Sequence, residues 1–388
     1  MAFAALEALA RATRELERAG LKRTRRILDS AQDAVVDEGG ARLVNFSSND
    51  YLGLANEARL REAAHRAIDA FGVGAGASPL VTGHTRLHQE AEARFADFIG
   101  RPRALLFASG YAANIGILAS LGDRHAEIFA DKWNHACLVD GAVLSRATFT
   151  RYPHGDMDTL AHQLARSTAA TRIDATDTDF SMDGDIAPLE RLLALCETHD
   201  AWLVLDDAHG FGVIGEGGRG ALAHGALDSP RIVYMATLGK ALGGYGAFVT
   251  GAPEVVEWLV QRARTYVFST ALPPAVAAVA SAALDILAAE PERVARLHAR
   301  IAQLRRACEA RDVAITPSIT AIQPVIVGDA RRAVALSSAL RERGFLVPAI
   351  RPPTVPEGTS RLRVSLSSSH TPGQVESLAA ALAGLLAQ

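Results

Sequence analysis

Cysteine is scarce in this chain. Its three cysteines, Cys137, Cys196 and Cys308, lie far apart with no C-x-x-C spacing, which excludes a disulfide framework and a zinc knuckle and fits a reducing cytosol. An excess of one charge is missing too, since 40 Lys and Arg stand against 43 Asp and Glu for a net charge of −3. With the two signs interspersed there is no basic footprint for nucleic acid and no polybasic membrane anchor. Long apolar runs are also lacking. The opening text "MAFAALEALARATRELERAGLKRTRRIL" mixes Glu7, Glu15 and Glu17 with its arginines. It has no apolar core followed by a small-residue cleavage site, so it reads as an amphipathic helix and not an export signal. "ALPPAVAAVASAALDIL", from Ala271, is broken by Pro273, Pro274 and Asp285 and is too short to span a bilayer. No internal repeat or low-complexity segment occurs. A cytoplasmic protein with no nucleic acid or membrane partner is expected.

What is present is an ordinary globular balance, 49% hydrophobic and 21% charged over 388 residues, enough for about two or three domains. "ARLVNFSSNDYLGL" reads as a short strand entering a turn, and "EARLREAAHRAIDAFG" has helical periodicity closed by Gly72. Short apolar or β-branched runs follow: "RALLF", "AEIFA", "RATFTRY", "WLVLD" and "RIVYMA". Helical segments such as "DTLAHQLARS" and "APLERLLALCETHD" separate several of them, which predicts a largely parallel sheet covered on both faces. From about Pro291 a long charged helix and then "AIQPVIVG", "ALSSALRERG" and "RLRVSLSSS" suggest a small α+β unit. The expected division is an N-terminal helical segment over 1–45, a large ligand-binding domain over 46–285 and a small C-terminal domain over 286–388.

One lysine stands out by its position. In "YMATLGKALGGYGAFVT", Tyr234 to Thr250, Lys240 sits between glycine-flanked turns that join two apolar runs. A lysine of ordinary pKa, about 10.4, has no structural task there and by itself reads as a solvated loop residue. A P-loop is excluded, because Tyr234 stands five before Gly239 and Ala241 follows Lys240.

Open parallel sheets hold ligands beyond the carboxyl ends of their strands. After "ALLF", Ser109 and Gly110 turn the chain into a helix starting near Tyr111; its free N–H groups and dipole suit a phosphate, or serve only as a helix start. After "WLVL", Asp206, Asp207 and His209 stand at the mouth of a buried strand, where acids need partners. Asp206 is placed to meet a cationic ligand atom; an Asp–His pair closing a loop is the plainer alternative. D-D-x-H is not a metal ligand set, and no metal is expected. After "RIDAT", Gly184 supplies a turn, Asp185 is a candidate N-cap for a helix from about Ala187, and Ser181 is either a ligand-facing hydroxyl or a turn residue. His135, in "DKWNHACLVDG", alone reads as a satisfied loop or core histidine.

Jointly these pieces describe one ligand, an aromatic aldehyde with a phosphate, a cationic ring nitrogen and a carbonyl that condenses with a lysine: pyridoxal 5′-phosphate, PLP. A carboxylate at the pyridine nitrogen keeps it protonated and makes the ring an electron sink, while the lysine holds the aldehyde and shuttles a proton.

The motifs "NFSSNDYLGL", "GAGASPLVTGHTRLHQEAE", "DDAHGFGVIGEGGRG", the lysine loop and "RPPTVPEGTSRLRVSLSSSH" cover almost the whole chain, and in that order it resembles the α-oxoamine synthases. The resemblance implies an α/β, aspartate aminotransferase-like fold of type I, with a mostly parallel central sheet and a smaller α+β C-terminal domain. It implies that Lys240 carries PLP, Asp206 pairs with the pyridine nitrogen and His135 stacks on the ring. Ser181 and His209 would meet the ring hydroxyl, and Gly110, Tyr111 and Thr237 the phosphate. Thr270 would contact the phosphate of a neighbouring subunit, in a homodimer with shared active sites. Arg23, Thr354 and Arg363 match substrate-side positions, Arg363 suiting a carboxylate by bidentate geometry; His135 would also hydrogen-bond the thioester oxygen.

Within the family the text is most similar to members that condense L-alanine with pimeloyl-CoA or pimeloyl-acyl carrier protein, giving 8-amino-7-oxononanoate, CoA and CO2 in biotin biosynthesis. Glycine with acetyl-CoA or another acyl-CoA is the alternative within the class. A non-catalytic ligand-sensing module on the same fold is the alternative outside it, and Lys240 argues against that. Two departures stand out. Pro79 occupies a position that usually holds arginine, which bears on a substrate-side or dimer contact. "TRIDATDTDF" is more polar than usual, which bears on the strength of a core strand.

Overall fold

The computed structural model describes residues 3–387. The apolar runs form strands: β1 (Val35–Glu38), β2 (Ala41–Asn45), β3 (Arg103–Phe107), β4 (Ala126–Asp131), β5 (Thr148–Tyr152), β6 (Thr171–Asp177) and β7 (Ala201–Asp206). They continue with β8 (Ile232–Thr237), β9 (Ala247–Gly251), β10 (Ile322–Gly328), β11 (Phe345–Leu346), β12 (Ala349–Ile350) and β13 (Ser360–Ser365). The central sheet has seven strands in the order β3-β9-β8-β7-β6-β4-β5. Pairing from β8 through β7, β6 and β4 to β5 is parallel, and only β9 runs against its neighbours. Helices cover both faces, so these strands are buried on two sides and read as near-continuous apolar runs.

The order places the carboxyl ends of β4, β6, β7 and β8 side by side, and the residues that follow them converge there. β9 is antiparallel because the lysine loop returns the chain directly, a connection parallel strands cannot make. That loop is closed by hydrogen bonds from Leu238 N to Gly246 O, from Gly244 N to Leu238 O and from Gly243 N to Lys240 O. Gly243 has a φ of +64°, and a Cβ there would lie 2.3 Å from the Leu54 carbonyl carbon, so the glycine is required both by conformation and by close approach.

The polar stretch that starts at Thr171 nevertheless forms β6 in the middle of the sheet, with Asp174, Asp177 and Asp179 all buried. Pro79 opens one short π-helical turn, Pro79–Gly83, where a missing N–H costs nothing. Two local expectations are corrected. Asp185 does not cap the next helix, which runs Leu189–Thr198 behind Pro188; its carboxylate instead meets His154 Nε2 at 2.8 Å. Among the described residues up to 45 only Ala4–Arg18 is helical, and β2 pairs in parallel with β11 of the C-terminal region. That first helix buries none of its residues, leaving Phe3, Leu6, Leu9 and Leu16 exposed.

The C-terminal part builds a second sheet, β10-β13-β12, which brings Arg363 of β13 toward the large sheet. Among the described residues no single helix is long and apolar enough to cross a membrane.

Candidate active site

β7 ends in Asp206, 4% exposed, and its two oxygens are held separately. One accepts from Ala208 N at 3.0 Å. The other accepts from Asn114 Nδ2 at 2.6 Å, with Cys137 Sγ 3.7 Å away. Asn114 belongs to the helix Gly110–Leu121 and Cys137 to the helix Ala136–Ser145, so two helices behind the sheet clamp one carboxylate. Ser109 caps the first of these, its hydroxyl accepting from Ala112 N at 3.1 Å, and the amides of Gly110 and Tyr111 are first-turn donors with no intrahelical acceptor.

His135 is the N-cap of the second helix. Its Nδ1 accepts from Cys137 N at 3.3 Å and lies 2.9 Å from Cys137 Sγ, while the backbone N–H of His135 donates to the buried Asp177 at 2.6 Å. With Nδ1 used as an acceptor, Nε2 carries the proton of the neutral ring. Burial and the nearby Lys240 hold the His135 pKa below its ordinary value, against an opposing pull from Asp206.

Lys240 is half-buried as a residue, but its amine lies inside a charged cluster, with Nζ 2.6 Å from His209 Nε2. Desolvation pushes its pKa down to about 8, with Arg363 acting in the same direction and Asp206, Asp177 and Asp179 opposing. His209 is buried and held well below the usual imidazole range by burial, Lys240, Arg363 and His135, so it is neutral. Its Nδ1 lies 2.7 Å from the Tyr51 hydroxyl. Arg363 donates from Nε to Ser181 O at 2.6 Å and from Nη1 to Asn49 Oδ1 at 3.2 Å. Burial pushes the Asp179 carboxyl up to about 8 and Asp207 up to about 6.

Asp206, His135, His209, Lys240, Ser181 and Arg363 therefore meet at one place, beyond the carboxyl ends of β6 and β7. Thr237, at the end of β8, donates to Gly246 O at 3.0 Å and accepts from Gly239 N at 3.3 Å, shaping the same loop. Tyr111 is half-exposed, its hydroxyl bonded to Asp140. Three expected residues stand apart. Thr270 is exposed and lines a different hollow, with Pro79, His84 and His88. Thr354 lies in an exposed loop, its N–H bonded to Arg351 O. Arg23 lies in a basic groove of about 890 Å³ with Arg25, Arg26, Arg341 and Arg351. Arg26 also lines the cavity of about 400 Å³ that contains Lys240, Asn49, Ser47 and Ser48, so groove and cavity adjoin.

Sequence reasoning missed Asn49, Tyr51, Asn114, Cys137 and Asp177. "NFSSNDYLGL" held the first two, and the polarity of "TRIDATDTDF" was a signal for the last; Asn114 and Cys137 sit in apolar helices with nothing to mark them. Asp207, the second acid of the pair, is a cross-tie and not a ligand group: it accepts from the Tyr234 hydroxyl at 2.5 Å, from Ala221 N at 2.8 Å and from the Thr178 hydroxyl. No cluster of metal-ligating side chains occurs among the described residues.

The arrangement can hold a reactive amine beside a fixed carboxylate, a neutral hydrogen-bond donor and an arginine, under a helix N-terminus. Residues 41–382 match the model of the family described as aminotransferase class I and II. An 8-amino-7-oxononanoate synthase from Nitrosomonas europaea is 50% identical over 97% of this chain and 98% of its own length. One from Thiobacillus denitrificans is 52% identical over 92% and 93%. Among solved structures, an 8-amino-7-oxononanoate synthase from Francisella tularensis superposes with a TM-score of 0.77 at 31% identity, over 89% of this chain and 98% of that one. A serine palmitoyltransferase from S. paucimobilis, solved with bound PLP and myriocin, reaches 0.92 at 27% identity, over 98% and 97%.

Proposed function

Because this chain belongs to the α-oxoamine synthases within the class I and II aminotransferase family, we propose that it condenses L-alanine with a pimeloyl thioester. The products are 8-amino-7-oxononanoate, the free thiol and CO2, a step of biotin biosynthesis. It is a PLP-dependent acyltransferase of the aspartate aminotransferase-like fold type I. One observation carries the reading: the amine of Lys240, with its pKa lowered to about 8, lies in the same cluster as the clamped carboxylate of Asp206.

The donor set fits PLP. An amine near pKa 8 is a competent nucleophile toward an aldehyde, Asp206 offers an anion to a pyridinium, and the first-turn amides of Gly110 and Tyr111 suit a phosphate. PLP, when bound, supplies the sink for the electron pair left on an amino-acid α-carbon. The chain's own residues do the rest. Lys240 holds the cofactor and moves the proton at the alanine α-carbon; Asp206 keeps the pyridine nitrogen charged, oriented by Asn114 and Ala208 N. His135 covers the ring and donates from Nε2 to the thioester oxygen, a hydrogen bond that strengthens as charge develops. His209 and Ser181 face the ring hydroxyl, and Thr237 shapes the phosphate end. Arg363 orients the alanine carboxylate beside Asn49. Arg23 and Thr354 belong to the acyl side, where the basic groove adjoins the Lys240 cavity.

Residues 46–285 act as the cofactor domain and 286–388 as the small domain, with 1–45 as an N-terminal arm. A homodimer is supported by the uncovered apolar stripe of the first helix and by exposed Thr270, which would reach the partner's phosphate. Three buried, unpaired thiols suit the cytoplasm. Thiol release tests the substrate pair: with alanine saturating, pimeloyl-CoA outpaces acetyl-CoA and succinyl-CoA, and the product has the mass of the decarboxylated adduct. One methyl group is worth only about 1–3 kcal/mol in an apolar pocket, so glycine reacts weakly. Faster turnover of glycine with acetyl-CoA would overturn the substrate pair.

A further inference from the structure

We propose that His154 is a positioning residue: as an imidazolium held between Asp131 and Asp185, it ties the loop that ends in His135 to the turn that carries Ser181 and braces Arg363. Its Nδ1 lies 3.1 Å from both oxygens of Asp131, and its Nε2 lies 2.8 Å from an oxygen of Asp185. Each Asp131 oxygen also accepts a backbone N–H, from Trp133 and from Gly155, both at 2.8 Å, while the Asp185 side chain is 41% exposed. Two carboxylates can only accept, so each ring nitrogen brings a hydrogen and the ring is a cation. A neutral ring would aim a lone pair at one of the two acids. The indole of Trp133 covers the ring face, with centroids 3.8 Å and planes 13° apart, a position in which a cation is attracted.

The ring joins the ends of three strands. Asp131 closes β4, His154 follows the end of β5, and Asp185 closes the turn after β6. Trp133 belongs to the loop that leads into His135, and the next residue, Asn134, fastens that loop to β6 by donating to Ala175 O at 2.6 Å. Phe180, whose ring meets His154 edge-on with centroids 4.4 Å apart, precedes Ser181 in a turn closed by a hydrogen bond from Phe180 N to Asp185 O at 3.0 Å. Ser181 O accepts from Arg363 Nε at 2.6 Å. One cation therefore grips both ends of the turn that steadies the arginine assigned to the alanine carboxylate. Of the charged and titratable groups, Asp131 and Asp185 face His154 directly, Tyr152 and Asp174 face Asp131, and Asp179 faces Asp185. Burial lowers the His154 pKa, but the two acids outweigh it and raise it to about 9, so the tie is complete at neutral pH and is lost as pH rises through that value.

The inference rests on the proposed function only in its choice of alanine, and the test separates the two. Tryptophan occurs at Trp133, Trp202 and Trp258, so the full chain carrying Trp202→Phe and Trp258→Phe keeps Trp133 as its reporter, and a protonated imidazole quenches an indole stacked on it. Emission rises with pH at a midpoint of about 9, and adding His154→Gln removes the rise. Asp185→Asn takes away one of the two charges and lowers that midpoint by about one pH unit; in the holoenzyme the pH at which alanine binding weakens, read from the absorbance of bound PLP, falls with it. His154→Gln at neutral pH binds alanine about tenfold more weakly while taking up PLP like the parent. A Trp133 midpoint near the ordinary histidine value of about 6.5 overturns the proposal. So does alanine binding that is unchanged in His154→Gln, or that stays put in Asp185→Asn while the Trp133 midpoint moves, since His154 would then be structural only. Should His154→Gln fail to fold, the Asp185→Asn comparison decides alone. If glycine but not alanine alters the absorbance of the unchanged holoenzyme, the substrate reading fails, and the same titration with glycine still tests His154.

Discussion

Replacing Asp174 by asparagine should stabilise this protein near neutral pH, and the gain should vanish in acid. Asp174 lies on β6, with β4 and β7 on either side. It is fully buried, and neither carboxylate oxygen makes a hydrogen bond of ordinary geometry among the described residues, the buried Tyr152 hydroxyl being close enough only for a weak one. Burial pushes its pKa up to about 8, against a smaller opposing pull from Tyr152 and with a small reinforcement from Asp131. The sign follows from proton counting. Between the unfolded value near 3.8 and the folded value, the native state binds the proton and the unfolded chain does not, so stability falls as pH rises, by about 1.36 kcal/mol per unit. At pH 7.5 the accumulated loss is roughly 5 kcal/mol. Asparagine keeps the shape and never ionises, but its amide is equally unpaired, at a cost of about 1–3 kcal/mol. Asp174→Asn is therefore expected to gain roughly 2–4 kcal/mol at pH 7.5 and to range from neutral to about 2 kcal/mol less stable than the parent at pH 4.5. Urea unfolding of both proteins at the two pH values, saturated with PLP, measures the difference, and other buried acids cancel in it. A gap between variant and parent that stays constant with pH would refute the reasoning, because it would mean that Asp174 titrates alike in both states.

Two further outcomes probe the site itself. Asp206→Asn should still take up PLP but should slow exchange of the alanine α-proton in deuterated water by orders of magnitude, since the ring loses the anion that keeps it charged; an unchanged exchange rate would make Asp206 structural. Gly243→Ala should destabilise the lysine loop by roughly 2 kcal/mol or more, from a left-handed φ and a Cβ 2.3 Å from the Leu54 carbonyl carbon, seen as a lower thermal midpoint together with weaker PLP retention; retention equal to the parent's would show that the loop can move away.

Much was legible along the chain. Lys240 between two glycine-flanked turns, an acid at the end of "WLVL" and a glycine-turned helix after "ALLF" each follow from the repeat distance of strands and helices. Local geometry dictates them, and the strand order then gathers them at one end of the sheet. The polar text of β6 was legible as a departure but not as a solution: its acids are buried because the strand must sit between β4 and β7 to complete the sheet, and the resulting desolvation, not strand weakness, is the consequence. Asp185 before a helix looked like a cap, yet a carboxylate caps only where the chain turns onto the helix directly, and Pro188 intervenes. Tertiary structure alone decided the pairings. Tyr51 meets His209 across 158 residues of chain, Asn114 meets Asp206 across 92, and Arg363 meets the carbonyl of Ser181 across 182. Hydrogen bonds of that kind depend on distances of a few tenths of an ångström and on which way a side chain faces after packing, and no spacing in a linear text carries that information.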